Sequence, residues 1–82
     1  MITAAKLKTL STFTADALSV ALFHSGNKKA LDMAFSDAKF VGLTNGNEFC
    51  YKVNYIEDNV FHKIKVFLNY DPVEGRVTAS MN

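Results

Sequence analysis

Apolar residues recur through the first third of the chain with the spacing of an α-helix, and polar residues fall on the opposite side. Thr3 is suited to cap the N-terminus of this helix, and Gly26 can adopt the left-handed conformation that ends one. The hydroxyl side chains in the segment 10–14 (LSTFT) compete for backbone hydrogen bonds. The pattern therefore predicts a long amphipathic helix, with a break near Ser11 as the alternative to a straight one.

A second, shorter helix is predicted over the segment 28–37 (KKALDMAFSD). Asn27 stands where a capping residue would stand, and Asp32 falls away from the apolar positions. The apolar face of this helix would consist of Ala30, Leu31, Ala34 and Phe35.

From Ala38 onward the apolar period changes to two, which is typical of half-buried strands. Turn signals at 44–47 (TNGN), 57–59 (EDN) and 71–75 (DPVEG) divide this part into four strands. Connections this short require antiparallel neighbours. The sequence therefore predicts a single α+β domain over residues 1–82, in which an N-terminal helix and a short second helix pack on one face of a four-stranded antiparallel meander sheet.

The hydrophobic pattern also predicts how the later strands pair. Tyr55 and His62 must both face the core, which requires a loop of two residues at 58–59 or of four residues at 57–60. A three-residue loop would bury the lysines. The last hairpin is expected to have a four-residue loop at 72–75, with its glycine at positive φ.

The register of the first hairpin stays open between two alternatives. A two-residue turn at Asn45 and Gly46 would face Phe40 inward and leave Val41 and Leu43 on the outer face. A three-residue loop would do the opposite. In the first case the outer face would be too apolar to serve only as a solvent face, so a second copy or a partner would cover it.

Size and composition limit the range of functions. A chain of 82 residues has one thin core and little capacity for a deep cleft, which lowers the expectation of an enzyme. The net charge of +1 is well short of that of most nucleic-acid-binding domains. The single Cys50 fits a reducing compartment, so we expect a cytoplasmic protein, and no apolar run is long enough for a membrane span.

Residues with catalytic chemistry are few and separated. The predicted register places Cys50 and His62 on opposite faces of the sheet, so they cannot form a nucleophile and base pair. Two histidines and one cysteine match no zinc pattern, and no glycine-rich loop could hold a phosphate. We therefore expect no catalytic residues, no metal site and no cofactor.

The outer sheet face is the candidate site that remains. Lysines directly opposite one another are mildly destabilising unless an anion or an acidic partner neutralises them. Lysine is also the common residue of solvated sheet faces and edges, and among aromatic residues it can hold single-stranded nucleic acid. The candidate partner-binding residues are Lys52, Asn54, Ile56, Phe61, Lys63, Lys65 and Phe67.

The function expected from these features is that of a small, non-enzymatic protein-binding module. It would act as a regulator or inhibitor by covering part of another protein, through the outer sheet face or an exposed edge strand. Ile56, Phe61 and Phe67 would anchor the contact, and the lysines would steer an acidic partner. Short chains of this kind include inhibitors encoded by phages and mobile elements, for example in counter-defence, which would act in the host cytoplasm. The alternatives are a single-stranded nucleic-acid-binding domain and a homo-oligomeric structural protein, such as a homodimer formed through the outer face.

Overall fold

The computed structural model of the chain describes residues 3–44 and 48–81. Helices α1 (Ala4–Leu10) and α2 (Ala15–His24) are followed by a short 3-10 helix (Lys28–Asp32). The strands are β1 (Ala34–Thr44), β2 (Glu48–Glu57), β3 (Val60–Asp71) and β4 (Arg76–Met81). They form one antiparallel sheet in the order β1-β2-β3-β4. The predicted α+β architecture with an antiparallel meander is confirmed.

The first helical segment is broken, and hydroxyl side chains surround the break. The Thr3 hydroxyl accepts a hydrogen bond from the Lys6 amide at 3.2 Å and caps α1 as predicted. The Thr12 hydroxyl donates to the Lys8 carbonyl at 2.8 Å. Thr14 then caps α2, accepting from the Ala17 amide at 3.1 Å. Of the two alternatives for this segment, the broken helix is the one that forms.

The prediction of a second α-helix over 28–37 is wrong. Only the 3-10 helix Lys28–Asp32 forms, and Asn27 makes no side-chain capping bond. The following residues belong to β1, where Phe35 pairs with Tyr55 and their rings meet edge to face at 6.1 Å. An isolated helix of this length is marginal, whereas strand pairing satisfies the backbone and provides the Phe35 ring with a neighbour.

The register between β2 and β3 is confirmed along its whole length. Asp58 and Asn59 form a two-residue loop with φ angles of 52° and 64°, as a type I′ turn requires. Tyr55 pairs with His62, and their rings stack at 4.9 Å between centroids. The four-residue loop of the last hairpin is also confirmed, with Gly75 at φ 65°.

Strand β1 follows neither predicted register throughout. Near the hairpin end Leu43 pairs with Phe49, but after an irregularity at Val41 the pairing shifts by one position and Phe40 pairs with Tyr51. One extra residue in a strand reverses the faces of the residues that follow, so Leu43 and Phe40 both fall on the core side. The predicted turn at Asn45 and Gly46 lies outside the described residues.

The buried core does not reach the end of the sheet beside the 58–59 turn. The buried core joins apolar helix residues to the sheet residues nearest the helices, of which Tyr51 is the largest. A ten-residue helix is about 15 Å long, whereas a strand of twelve residues extends about 40 Å. The part of the sheet beside the 58–59 turn, called here the distal end, consists of residues 55–57 and 60–62, none of which is buried.

Two hydroxyl groups fasten the helices to the sheet. The buried Tyr51 hydroxyl donates to the Leu10 carbonyl and accepts from the Phe13 amide at 3.0 Å, so it holds both sides of the helix break. Burial raises the pKa of Tyr51 above its ordinary value, and the bond from Phe13 opposes this. The Ser25 hydroxyl at the end of α2 accepts from the Ala79 amide of β4 at 2.8 Å.

Candidate partner-binding face

Three lysines form a continuous row across the outer face of the sheet. Lys39 of β1 pairs with Lys52 of β2, which pairs with Lys65 of β3. Directly opposed side chains have Cβ atoms about 4.5 to 5.5 Å apart. All three side chains are exposed. The register therefore concentrates three positive charges in one line at right angles to the strands.

A shallow groove of about 500 Å³ surrounds the lysine row. Lys63, the fourth lysine that lines it, lies two residues from Lys65 on the same face and pairs with Asn54. The Asn54 side-chain amide donates to the Asp37 carboxylate at 3.3 Å. Asp37 occupies an irregularity in β1 with φ 51°, which brings its carboxylate to the rim of the groove.

The groove is strongly basic. Four lysines line it together with one carboxylate, that of Asp37. Among the residues that the structure describes, none forms an ion pair with any of the four lysines. Like charges on directly opposed strand residues cost roughly 0.2 to 1 kcal/mol per pair. The arrangement thus lowers the stability of the isolated chain and favours an anionic group in the groove.

Apolar side chains lie at both ends of the basic groove, but they differ in exposure. Beyond Lys63, Ile56 pairs with Phe61, and these side chains are 40% and 76% exposed. Beyond Lys65, Phe67 is half-buried and pairs with Cys50. The two predicted anchors Ile56 and Phe61 thus form an exposed apolar tip, whereas Phe67 packs at the other end of the groove.

Sequence reasoning missed two charged residues that line the groove. Lys39 was detectable, because the register with a two-residue first turn pairs it with Lys52. Asp37 could not be detected, because it was expected in a helix and no residue pattern predicts the left-handed conformation that it adopts. The seven predicted residues do share the outer face. The pair Asn54 with Lys63 lies next to the lysine row, and the pair Ile56 with Phe61 lies beyond it.

Cys50 and His62 lie on opposite faces of the sheet, as predicted. Cys50 pairs with Phe67 on the outer face, yet it is only 3% exposed, which the sequence did not indicate. His62 stacks on Tyr55 on the inner face. Within residues 3–44 and 48–81, no group of three or more histidine, cysteine or carboxylate side chains could hold a metal ion. No described helix combines the length and apolarity that a membrane crossing needs.

Comparison of the chain with protein-family models, curated proteins and solved structures finds no match.

Proposed function

We propose that this chain is a non-enzymatic binding protein that holds an acidic segment of another protein on its outer sheet face. The observation that supports the proposal is the row of Lys39, Lys52 and Lys65, with which no described residue forms an ion pair although Asp37 lines the same groove. Carboxylates placed over this row would remove the repulsion and gain attraction at the same time. By covering the partner's segment, the chain would act as a regulator or inhibitor, and its single thiol fits the cytoplasm.

The apolar tip favours a protein as the partner. Phe61 and Ile56 are exposed side by side, next to the basic groove. Protein interfaces often combine apolar anchors with neighbouring charges that steer the partner. Single-stranded nucleic acid is usually held by a succession of aromatic rings on which the bases stack. On this face one ring is widely exposed, while Phe67 is half-buried. We therefore favour an acidic protein segment over a nucleic acid.

A titration with two polyanions tests the proposal. The probes are a ten-residue glutamate-rich peptide and a ten-nucleotide oligothymidine, added to the chain at low salt and observed by NMR. We expect the peptide to bind at Lys39, Lys52 and Lys65, and to bind at least tenfold more weakly when all three are glutamine. Three exposed charge contacts of about 0.5 to 1 kcal/mol each account for that factor.

The matched control replaces Lys8, Lys28 and Lys29, which are exposed and lie outside the sheet, with glutamine. It has the same net charge as the first triple variant and should retain peptide binding. Equal loss of binding in both variants would show a non-specific charge effect and refute the proposal. Tighter binding of oligothymidine, or dimers in light scattering that the first triple variant abolishes, would replace it with one of the two alternatives.

A further inference from the structure

Strand β3 has a segment that is paired on one side only. Residues Val66–Asp71 pair with β4, whereas 60–65 pair with β2 and, among the described residues, with no strand on their other side. This segment, called here the open edge, borders the basic groove and includes Phe61, Lys63 and Lys65. Val60 and Phe61 are 53% and 76% exposed, so the open edge is accessible at its apolar end.

The hairpin geometry determines which backbone groups face outward from the open edge. A two-residue turn closes with a hydrogen-bonded pair, here Glu57 with Val60, and antiparallel pairs then alternate. The amide and carbonyl groups of Phe61, Lys63 and Lys65 therefore point away from β2. These are the same residues whose side chains lie on the outer face. A strand added at this edge would consequently face lysine side chains and bond to their backbone in one register.

We propose that the acidic segment binds as an added β-strand along the open edge, with acidic residues alternating with apolar ones. This inference rests on the proposed function and specifies how the partner would bind. In an antiparallel pairing, acidic residues would oppose Lys65 and Lys63, and an apolar residue would oppose Phe61. The intervening apolar residues would lie beside Ile64 and His62 on the inner face. The row of lysines would then end on carboxylates.

A second copy of the chain fits this edge poorly. The antiparallel register that aligns all three outward residues of two copies, Phe61, Lys63 and Lys65, places Lys63 directly opposite another Lys63. Lysine on an edge strand commonly prevents self-pairing in this way, but it does not repel an acidic strand. Charge complementarity therefore selects a partner segment of another kind as the occupant.

The other sheet edges are less suited to strand addition. Strand β1 has two register irregularities, between Ser36 and Lys39 and between Phe40 and Gly42, which interrupt a regular ladder. On β4, the outward amide of Ala79 is already bonded to the Ser25 hydroxyl. The open edge is thus the six-residue stretch where regular pairing and basic side chains coincide.

The test uses two synthetic peptides of identical composition, acetylated and amidated, with the 82-residue chain. The first, Thr-Glu-Val-Glu-Val-Phe-Thr, has the proposed alternation. The second, Thr-Glu-Glu-Val-Val-Phe-Thr, would turn one glutamate to the inner face. We expect the first peptide to bind more tightly and to slow hydrogen exchange of the Phe61, Lys63 and Lys65 amides, which point to the side of β3 where no described strand pairs with them.

Two substitutions at one position separate backbone bonding from charge. Lys63→Gln removes the charge, whereas Lys63→Pro also removes an outward amide that β2 does not use, a position where proline is tolerated in edge strands. Binding of the first peptide should be about threefold to tenfold weaker in Lys63→Pro than in Lys63→Gln, which is the factor expected for one hydrogen bond. Melting curves confirm that both variants fold.

Equal binding of the two peptides, with unchanged exchange of the three amides, would overturn the strand-addition inference. If the row variant of Lys39, Lys52 and Lys65 still weakened binding in that case, the proposed function would stand with a different binding geometry. If the lysine substitutions also had no effect, both proposals would fail. The hydrogen-exchange measurement is made on the unsubstituted chain, so it stays decisive if Lys63→Pro does not fold.

Discussion

Replacing Lys52 with glutamine should stabilise the chain. Lys52 is the middle residue of the lysine row, and it directly opposes both Lys39 and Lys65. Each like-charge pair across two strands costs roughly 0.2 to 1 kcal/mol, so relief of two pairs should raise the free energy of unfolding by about 0.5 to 2 kcal/mol. Glutamine is similar to lysine in length and covers the same surface, so other contributions should change little.

Lys63→Gln is the matched control for this substitution. Lys63 is also an exposed strand lysine of the outer face, but it pairs with Asn54 and not with another lysine. Neutralising it should therefore raise the free energy of unfolding less than Lys52→Gln does. Urea unfolding at about 0.01 M and 1 M salt measures both variants, and the difference between them should shrink at high salt, where charges are screened within about 3 Å.

The reasoning fails if Lys52→Gln is less stable than the unsubstituted chain, or if its gain equals that of Lys63→Gln at both salt concentrations. Either result would mean that the opposed lysines do not repel one another appreciably. If instead Lys52→Gln is more stable but binds the acidic peptide more weakly, the lysine row lowers stability while it contributes to binding. That combination is typical of residues retained for a function.

Two further predictions concern groups that fix the fold. Tyr51→Phe should lower the free energy of unfolding by about 1 to 4 kcal/mol in urea, because the Leu10 carbonyl and Phe13 amide lose their partner. Burial raises the pKa of Tyr51, so the stabilising effect of its hydroxyl should be complete below about pH 10 and disappear as pH rises through the folded-state pKa. The difference in free energy of unfolding between the unsubstituted chain and Tyr51→Phe should therefore narrow at high pH, and a constant difference would contradict this. Asn59 has φ 64°, a left-handed conformation that glycine adopts easily and valine does not. Asn59→Gly should therefore melt at or above the temperature of the unsubstituted chain, and Asn59→Val several degrees below it. Equal melting temperatures would show that the turn does not require positive φ at this position.

The register of β2 and β3 could be predicted because two independent requirements agree there. In both strands every second residue is apolar or aromatic, from Phe49 to Tyr55 and from Ile64 to Tyr70, so a shift by one residue would bury lysines such as Lys63. Asp58 and Asn59 supply the residue types that a tight turn needs. The outer face and its lysines followed directly from this pairing, including the opposition of Lys52 and Lys65.

Strand β1 could not be predicted with the same certainty, because only one of its two irregularities has a marker in the sequence, namely Gly42 beside the shift at Val41. The shift at Val41 keeps both Phe40 and Leu43 on the core side, which no uniform period of two can do. Asp37 adopts a left-handed conformation that is uncommon for residues other than glycine. A short apolar segment around Phe35 also fits either a helix or a strand, and strand pairing with β2 decides the outcome.

The distal end of the sheet, residues 55–57 and 60–62, contains no buried side chain, and this gives the molecule two levels of local stability. Near the helices, Tyr51 and Val53 are sealed by the core, so their amides should exchange with solvent only when the whole domain unfolds. The turn at 58–59 and the strand ends beside it have few buried neighbours and should open independently at a lower free energy. The apolar end of the open edge, where a partner is proposed to bind, would thus be the part that opens most readily. A segment bound there would pair with it and raise the free energy of local opening.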